Sequence, residues 1–245
     1  LSIRRQRQMC IRDSSWTKEG ELVILEEDNV PIAMCHGVTY TDESMLWLEG
    51  IRVKHDYRRK GFAELLVSHL ERSAHDLGII HANMLIESEN VPSLNLAEKI
   101  GYQQKSQWNY FAVESKKTSF SSPFDSLHYD ELAHSELRFV ESWRWIPLTK
   151  PNFEKLNSSE QILCIKDNKT IQSLGIITDS RSFDNTMILT ILFGKSYGIQ
   201  KFIQYVQRLT LEKNYSKLRI LTQQDEIPVA SMQKKFPFYL VEKKL

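Results

Sequence analysis

Tyr57-Arg58-Arg59-Lys60-Gly61-Phe62-Ala63 is the stretch on which the reading of this chain turns. Just before it, Met45 to Val53 reads as a strand, with Leu46, Leu48 and Gly50 on one face and Trp47, Glu49, Ile51 and Val53 on the other. Just after it, Phe62, Leu65, Leu66, His69, Leu70, Ser73 and Leu77 recur at helical spacing, and Gly78 stands where a glycine closes a helix. A strand that passes through a tight loop into a helix N-terminus gathers backbone N–H groups that have no partner of their own, which suits a pyrophosphate. Gly61 lets the backbone approach an anion without a Cβ in the way, Ala63 keeps the first turn small, and Arg58, Arg59 and Lys60 add positive charge. A basic turn with no ligand is the plain alternative. The position of Arg-x-x-Gly-x-Ala after an extended strand favours the anion site.

Working outward, Leu22 to Leu25 and Ile32 to Tyr40 flank a polar turn and predict a hairpin. Ile79 to Glu87 reads as a strand, Pro92 to Ile100 as a short helix closed by Gly101, and Trp108 to Val113 as a further strand. The polar run 116–123 ends in proline and is the expected boundary between two domains, 15–115 and 124–245. Beyond it, Leu163 to Asp167, Gln172 to Thr178 and Met187 to Phe193 predict strands. The helix Gly198 to Glu212, strand Leu218 to Thr222, short helix Pro228 to Lys235 and strand Phe238 to Glu242 follow. This order repeats that of the first half, and Val23 to Gln103 lays over Leu163 to Glu242, as an internal duplication would. Trp143-Arg144-Trp145 then begins the second copy or forms an inter-domain strand. Residues 1–14 have neither helical nor strand periodicity and are expected to be a disordered or artefactual extension.

Composition excludes more than it selects. Lys plus Arg number 32 against 31 Asp plus Glu, a net charge of +1 spread along 245 residues, so nothing calls for nucleic acid or an anionic membrane as partner. Without residues 1–14, which carry four Arg and one Asp, the balance is −2. Cys10, Cys35 and Cys164 lie far apart with no metal-ligand or disulfide spacing, which fits a reducing, cytoplasmic setting. His55, His69, His75 and His81 share no face at metal-ligand spacing, so no metal is expected. No apolar run approaches the roughly 20 residues that span a bilayer.

Ile51-Arg52-Val53 through Ala63 resembles the R/Q-x-x-G-x-G/A motif of the GNAT superfamily of N-acetyltransferases, over about residues 22–113. Asn90, Ser93, Leu96, Glu98-Lys99-Ile100 and Gly101-Tyr102 resemble the family's later motif. The resemblance implies an α+β fold with a mixed sheet, the GNAT acyl-CoA N-acyltransferase fold, followed here by a degenerate GNAT-like second domain. It implies acetyl-CoA as cosubstrate, its pyrophosphate on the backbone of Arg59, Lys60, Gly61, Phe62 and Ala63 and its pantetheine arm along Ile51, Arg52 and Val53. Arg58, Asn90 and Ser93 also face the cofactor in this scheme. The tandem arrangement and Trp47-Leu48-Glu49-Gly50-Ile51-Arg52-Val53 resemble the histidine N-acetyltransferase-like branch.

Two departures qualify the resemblance. The tyrosine that serves the family as general acid is replaced by Ala97, and relatives begin with a strand and two helices where this chain has only residues 15–20, as an N-terminally truncated domain would. Transfer to an amine still needs only an oriented neutral nitrogen and a route for its proton. Glu49 is the candidate general base, or else a structural carboxylate paired with an arginine such as Arg52. Glu87, at the end of the following strand, is the second candidate. His36 and Tyr40 could line the acceptor pocket, although a lone strand histidine is more often structural. In the second half, Phe193-Gly194-Lys195-Ser196-Tyr197-Gly198-Ile199 lacks the basic motif. The expected activity is acetyl transfer from acetyl-CoA to a small primary amine by direct attack in a ternary complex. A non-catalytic acyl-CoA-binding or interaction module is the alternative.

Overall fold

The computed structural model describes residues 2–5, 16, 18–118, 124–132, 136–180, 184–227 and 233–245, those of 2–5 by backbone only. The chain divides into two compact units, Leu1–Ser106 with Tyr239–Leu245, and Gln107–Phe238. The division therefore falls before the polar run 116–123, and the last seven residues return to the first unit. A strand needs neighbours on both edges to satisfy its backbone, and the C-terminal strand supplies one to the first unit's sheet.

The first unit opens with β1 (Ser2–Arg5), which pairs antiparallel with β2 (Glu21–Glu27). The expectation of disorder is corrected for these four residues: the outer edge of β2 offers unpaired N–H and C=O groups, and pairing satisfies them regardless of side-chain pattern. Residues 6–14 lie outside the described residues. β3 (Val30–Tyr40), β4 (Met45–Val53) and β5 (His81–Glu87) continue the sheet, with α1 (Phe62–Asp76) between β4 and β5. α2 (Val91–Lys99) and β6 (Gln103–Val113) follow. The β2–β3 and β3–β4 pairs are antiparallel, whereas β4 and β5 run parallel, as a strand–helix–strand crossover requires.

A bulge corrects the sequence reading of β4. The ladder pairs His36 with Glu49 but Met34 with Arg52, so three residues of β4 advance against two of β3. Gly50 absorbs the extra residue at φ +64°. Ile51 and Val53 thereby turn to the same core as Leu46 and Leu48, beneath Leu66, Val67 and Leu70 of α1, instead of lying beside Trp47 and Glu49. The opposite face carries Trp16, Leu22 and Ile24, with Met34 packed against them.

The second unit holds the hairpin β7 (Arg138–Glu141) and β8 (Arg144–Pro147), turned at Ser142 and Trp143, and then α3 (Lys150–Ser158). Trp143-Arg144-Trp145 thus spans the end of a hairpin's turn and the start of its second strand. β9 (Ile162–Asp167), β10 (Thr170–Asp179), β11 (Thr186–Gly194), α4 (Ser196–Glu212) and β12 (Lys217–Thr222) follow. β12 lies between β11 and the later part of β6, parallel to the former and antiparallel to the latter. Ile199, Phe202, Ile203 and Val206 of α4 bury their side chains on this sheet. The short helix expected over 228–235 is corrected at its described end: Gln233–Lys234 form β13, paired with Phe111 and Ala112, where β6 still has an open edge. Residues 228–232 lie outside the described residues. The final strand, β14 (Phe238–Lys244), joins the first unit's sheet beside β5 from Tyr239 onward, and Leu245 N–H donates to Ile80 O at 2.9 Å.

Candidate active site

The β4–β5 ladder runs from Met45–His81 to Leu48–Met84 and stops. From Glu49 onward, β4 has no strand partner on that side among the described residues, and the two strands form a fork whose β4 arm leads into the basic loop. A single 3-10 turn, His55–Tyr57, starts the loop. Tyr57 Oη donates to Glu27 Oε2 at 2.8 Å, which holds the phenol above its usual range, and Lys60 Nζ lies 5.0 Å from the Tyr57 ring centre. Arg58 Nε donates to Val53 O at 3.3 Å and ties the loop back to the end of β4.

Arg59 at φ +61° and Gly61 at φ +81° both take the left-handed conformation, and Gly61 caps α1 without any side-chain cap bond. The first intrahelical bond runs from Leu65 N–H to Gly61 O, so the N–H groups of Phe62, Ala63 and Glu64 precede the helical ladder. A Cβ built on Gly61 meets nothing within 4 Å. Open space, uncapped donors, the positive end of the helix dipole and the exposed Arg58, Arg59 and Lys60 meet at this turn, the combination of features that suits an anion.

The corresponding junction in the second unit is closed. Lys195 N–H donates to Ser173 Oγ at 3.2 Å, and a Cβ on Gly198, in the first turn of α4, would overlap Ser173 Oγ. The turn is filled by its own sheet.

On the fork's Trp16 face, Glu49 has both oxygens engaged: His36 Nδ1 lies 2.9 Å from Oε1, and Trp47 Nε1 donates to Oε2 at 3.2 Å. His36 is fully buried, its Nε2 lies 2.9 Å from Trp16 O, and its ring stacks on Trp16 with centres 5.0 Å apart and planes 8° apart. Arg52, the alternative partner considered for Glu49, stands opposite Met34, three residues along the strand, because of the bulge. Glu87 is exposed at the end of β5, away from this cluster in register.

At the start of α2, Asn90 Oδ1 accepts from Ser93 N–H at 3.3 Å, so this carbonyl serves as the helix N-cap. Ala97 is buried in the same core as α1 and contributes no hydroxyl. A cleft of about 630 Å³ lies along α2, lined among others by Leu94, Ala97, Tyr102 and Val241 and by no residue of the basic loop. Among the described residues no group of three or more His, Cys, Asp or Glu is gathered as a metal would require, and no helix is long and apolar enough to cross a membrane.

Sequence reasoning overlooked Asn83. It sits on β5 opposite Trp47, fully buried, with neither its Oδ1 nor its Nδ2 partnered among the described residues. An asparagine inside a strand was the only signal. The pairing of His36 with Glu49 was equally invisible until the hairpin register was known.

The sequence model of the acetyltransferase (GNAT) family matches residues 3–102. This segment is a GNAT acetyltransferase domain, of the transferase class, with the mixed α+β sheet that the motif implied. Among solved structures, a Thermoplasma acidophilum protein assigned as an acetyltransferase is similar at 14% identity and TM-score 0.66, over 95% of this chain and 82% of that one. A GCN5-related N-acetyltransferase from Sphaerobacter thermophilus is similar at 14% identity and TM-score 0.60, over 92% of this chain and 81% of that one. At such identities the likeness concerns the fold. No curated protein matches the chain.

Proposed function

We propose that this protein is an N-acetyltransferase that moves the acetyl group of acetyl-CoA to the primary amine of a small metabolite or amino acid, by direct attack in a ternary complex. The observation that carries the reading is the uncapped, open turn at Gly61, set at the end of a strand whose ladder has just come apart. The N–H groups from Arg59 to Ala63 would hold the pyrophosphate, with Arg58 and Lys60 adding charge. The unpaired edge of β4 at Ile51, Arg52 and Val53 would take the pantetheine amides as an added strand does. Asn90 and Ser93 would border it through their remaining polar atoms. Acetyl-CoA supplies an activated thioester carbonyl. The chain's task is to hold an amine near it and accept a proton, for which Glu49 is the first candidate and Glu87 the second. The second unit, with its filled turn at Ser173, would be a degenerate copy without acetyl-CoA. Cys35 and Cys164, both buried and free, suit a reducing, cytoplasmic setting.

Ala97 favours a second reading, a non-catalytic acyl-CoA-binding module, because the site offers no hydroxyl there to protonate a leaving thiolate. Calorimetric titration with acetyl-CoA, for the wild type and Gly61→Glu, tests what both readings share: binding is expected in the first and its loss in the second. Release of free thiol over a panel of amino acids and diamines then separates the readings. Binding without transfer to any acceptor would favour the module, and absence of binding in the wild type would overturn both.

A further inference from the structure

Glu49 is half of a pair. The carbonyl oxygen of Trp16 can only accept, so His36 Nε2, 2.9 Å away, carries a hydrogen. Nδ1 then bears a lone pair in the neutral ring and a hydrogen only in the imidazolium. A carboxylate oxygen also only accepts. The 2.9 Å contact between Nδ1 and Oε1 therefore contains one proton more than a neutral histidine and a carboxylate possess. It lies either on the ring or on the carboxyl group. The ring cannot evade the count by flipping, because the stack on Trp16 and the Trp16 carbonyl fix it from one side and the strand register fixes it from the other. The carboxylate is held as firmly: Trp47 occupies Oε2, and Glu49 is the first position of β4 beyond the β5 ladder.

We propose that His36 is a positioning residue for the acetyl transfer: it and Glu49 hold one proton between them, and the proton leaving the acceptor nitrogen is taken up by this pair, not by Glu49 alone. In that step the acceptor N–H bond breaks with its electron pair left on nitrogen, and a new bond to hydrogen forms within the pair. Before that step the pair gives its resting proton to water, breaking one bond to hydrogen within it, so the acceptor's proton takes the vacated place and the pair ends with the one proton it began with. The inference rests on the acetyltransferase reading above for the step itself, but the proton count does not.

The test begins with the unliganded, full-length wild type near neutral pH, carrying ¹⁵N-labelled histidine and ¹³C-labelled glutamate. Nuclear magnetic resonance is expected to find either both ring nitrogens of His36 protonated or the Glu49 carboxyl protonated. A neutral His36 beside an ionised Glu49 would overturn the shared proton, and this readout needs neither an acceptor nor a variant. Thiol release follows, with the best amine from the acceptor panel and saturating acetyl-CoA. His36→Gln and Glu49→Gln are each expected to lower kcat by about 10²-fold, the low end for a lost proton acceptor, with the calorimetric affinity for acetyl-CoA unchanged. The double variant is expected to fall no further than Glu49→Gln alone. Losses that multiply would show two independent roles and overturn the pair. If no amine is acetylated by the wild type, the acetyltransferase reading fails while the resonance measurement still decides the proton count.

Discussion

Tyr102 donates its phenolic O–H to Glu71 Oε1 at 2.7 Å, and Lys243 Nζ lies 2.8 Å from the other carboxylate oxygen, so the buried Glu71 of α1 is satisfied by a residue after α2 and by one from the returning strand β14. A buried carboxylate left short of a donor costs about 1–3 kcal/mol. Burial first, then the charge of Glu71 and its hydrogen bond, push the Tyr102 phenol well above its ordinary value of 10.0. The native state therefore keeps a proton that the unfolded chain releases above pH 10, so this contribution is whole below pH 10 and is lost as the pH rises toward the folded-state value. Tyr102→Phe is expected to lower stability by about 1–3 kcal/mol near pH 7 and to flatten its fall in alkali. Urea midpoints at pH 7, 9 and 10.5 check both; an unchanged alkaline slope would count against the assignment.

Gly50 is expected to tolerate no side chain. A Cβ there would overlap Trp16 Cη2, and φ is +64°. Gly50→Ala combines backbone strain with overpacking, each about 1–3 kcal/mol, so a loss of about 2–6 kcal/mol is expected in denaturant titration. A loss below about 1 kcal/mol would mean that Trp16 does not cover the bulge.

Asn83→Leu is expected to stabilise the fold by about 1 kcal/mol, since it replaces a buried amide, two of whose atoms have no partner among the described residues, by an apolar side chain of similar size. Thermal midpoints of the two proteins, compared at equal concentration, give the sign. A lower midpoint for the leucine variant would indicate that the amide is satisfied in solution, for instance by a bound water.

The two helix-start glycines should respond in opposite ways. Gly198→Ala forces the first turn of α4 away from Ser173 and is expected to cost about 1–3 kcal/mol. Gly61→Asn keeps an open site and a residue type that accepts the left-handed conformation, so its stability should change by less than about 1 kcal/mol while acetyl-CoA binding weakens. Calorimetric titration alongside denaturant midpoints separates the two effects. Equal stability losses at both glycines would erase the contrast between an open turn and a filled one.

Much of this was legible in residue order because it is local. The hairpin of β2 and β3, the strand–loop–helix around Gly61 and the periodicity of α1 all follow from neighbours a few residues apart, and so does the basic turn, whose backbone N–H groups belong to consecutive residues. Side-chain pattern failed where pairing ruled. Ser2–Arg5 became a strand because an edge of β2 was free, and Gln233–Lys234 because an edge of β6 was. Ile51 and Val53 changed faces because one extra residue entered the ladder at Gly50, and a period of two carries no record of such an insertion.

By itself, then, the sequence determined the class of fold and the basic loop with its run of backbone N–H groups, since these depend on short-range sterics and on hydrogen bonds between near neighbours. Only the tertiary structure decided that the chain's last residues complete the first unit's sheet, that Glu49 faces His36 and not Arg52, and that Asn83 is buried without a partner among the described residues. Each of these is a contact between residues brought together by strand register, and register is settled by how the whole sheet packs.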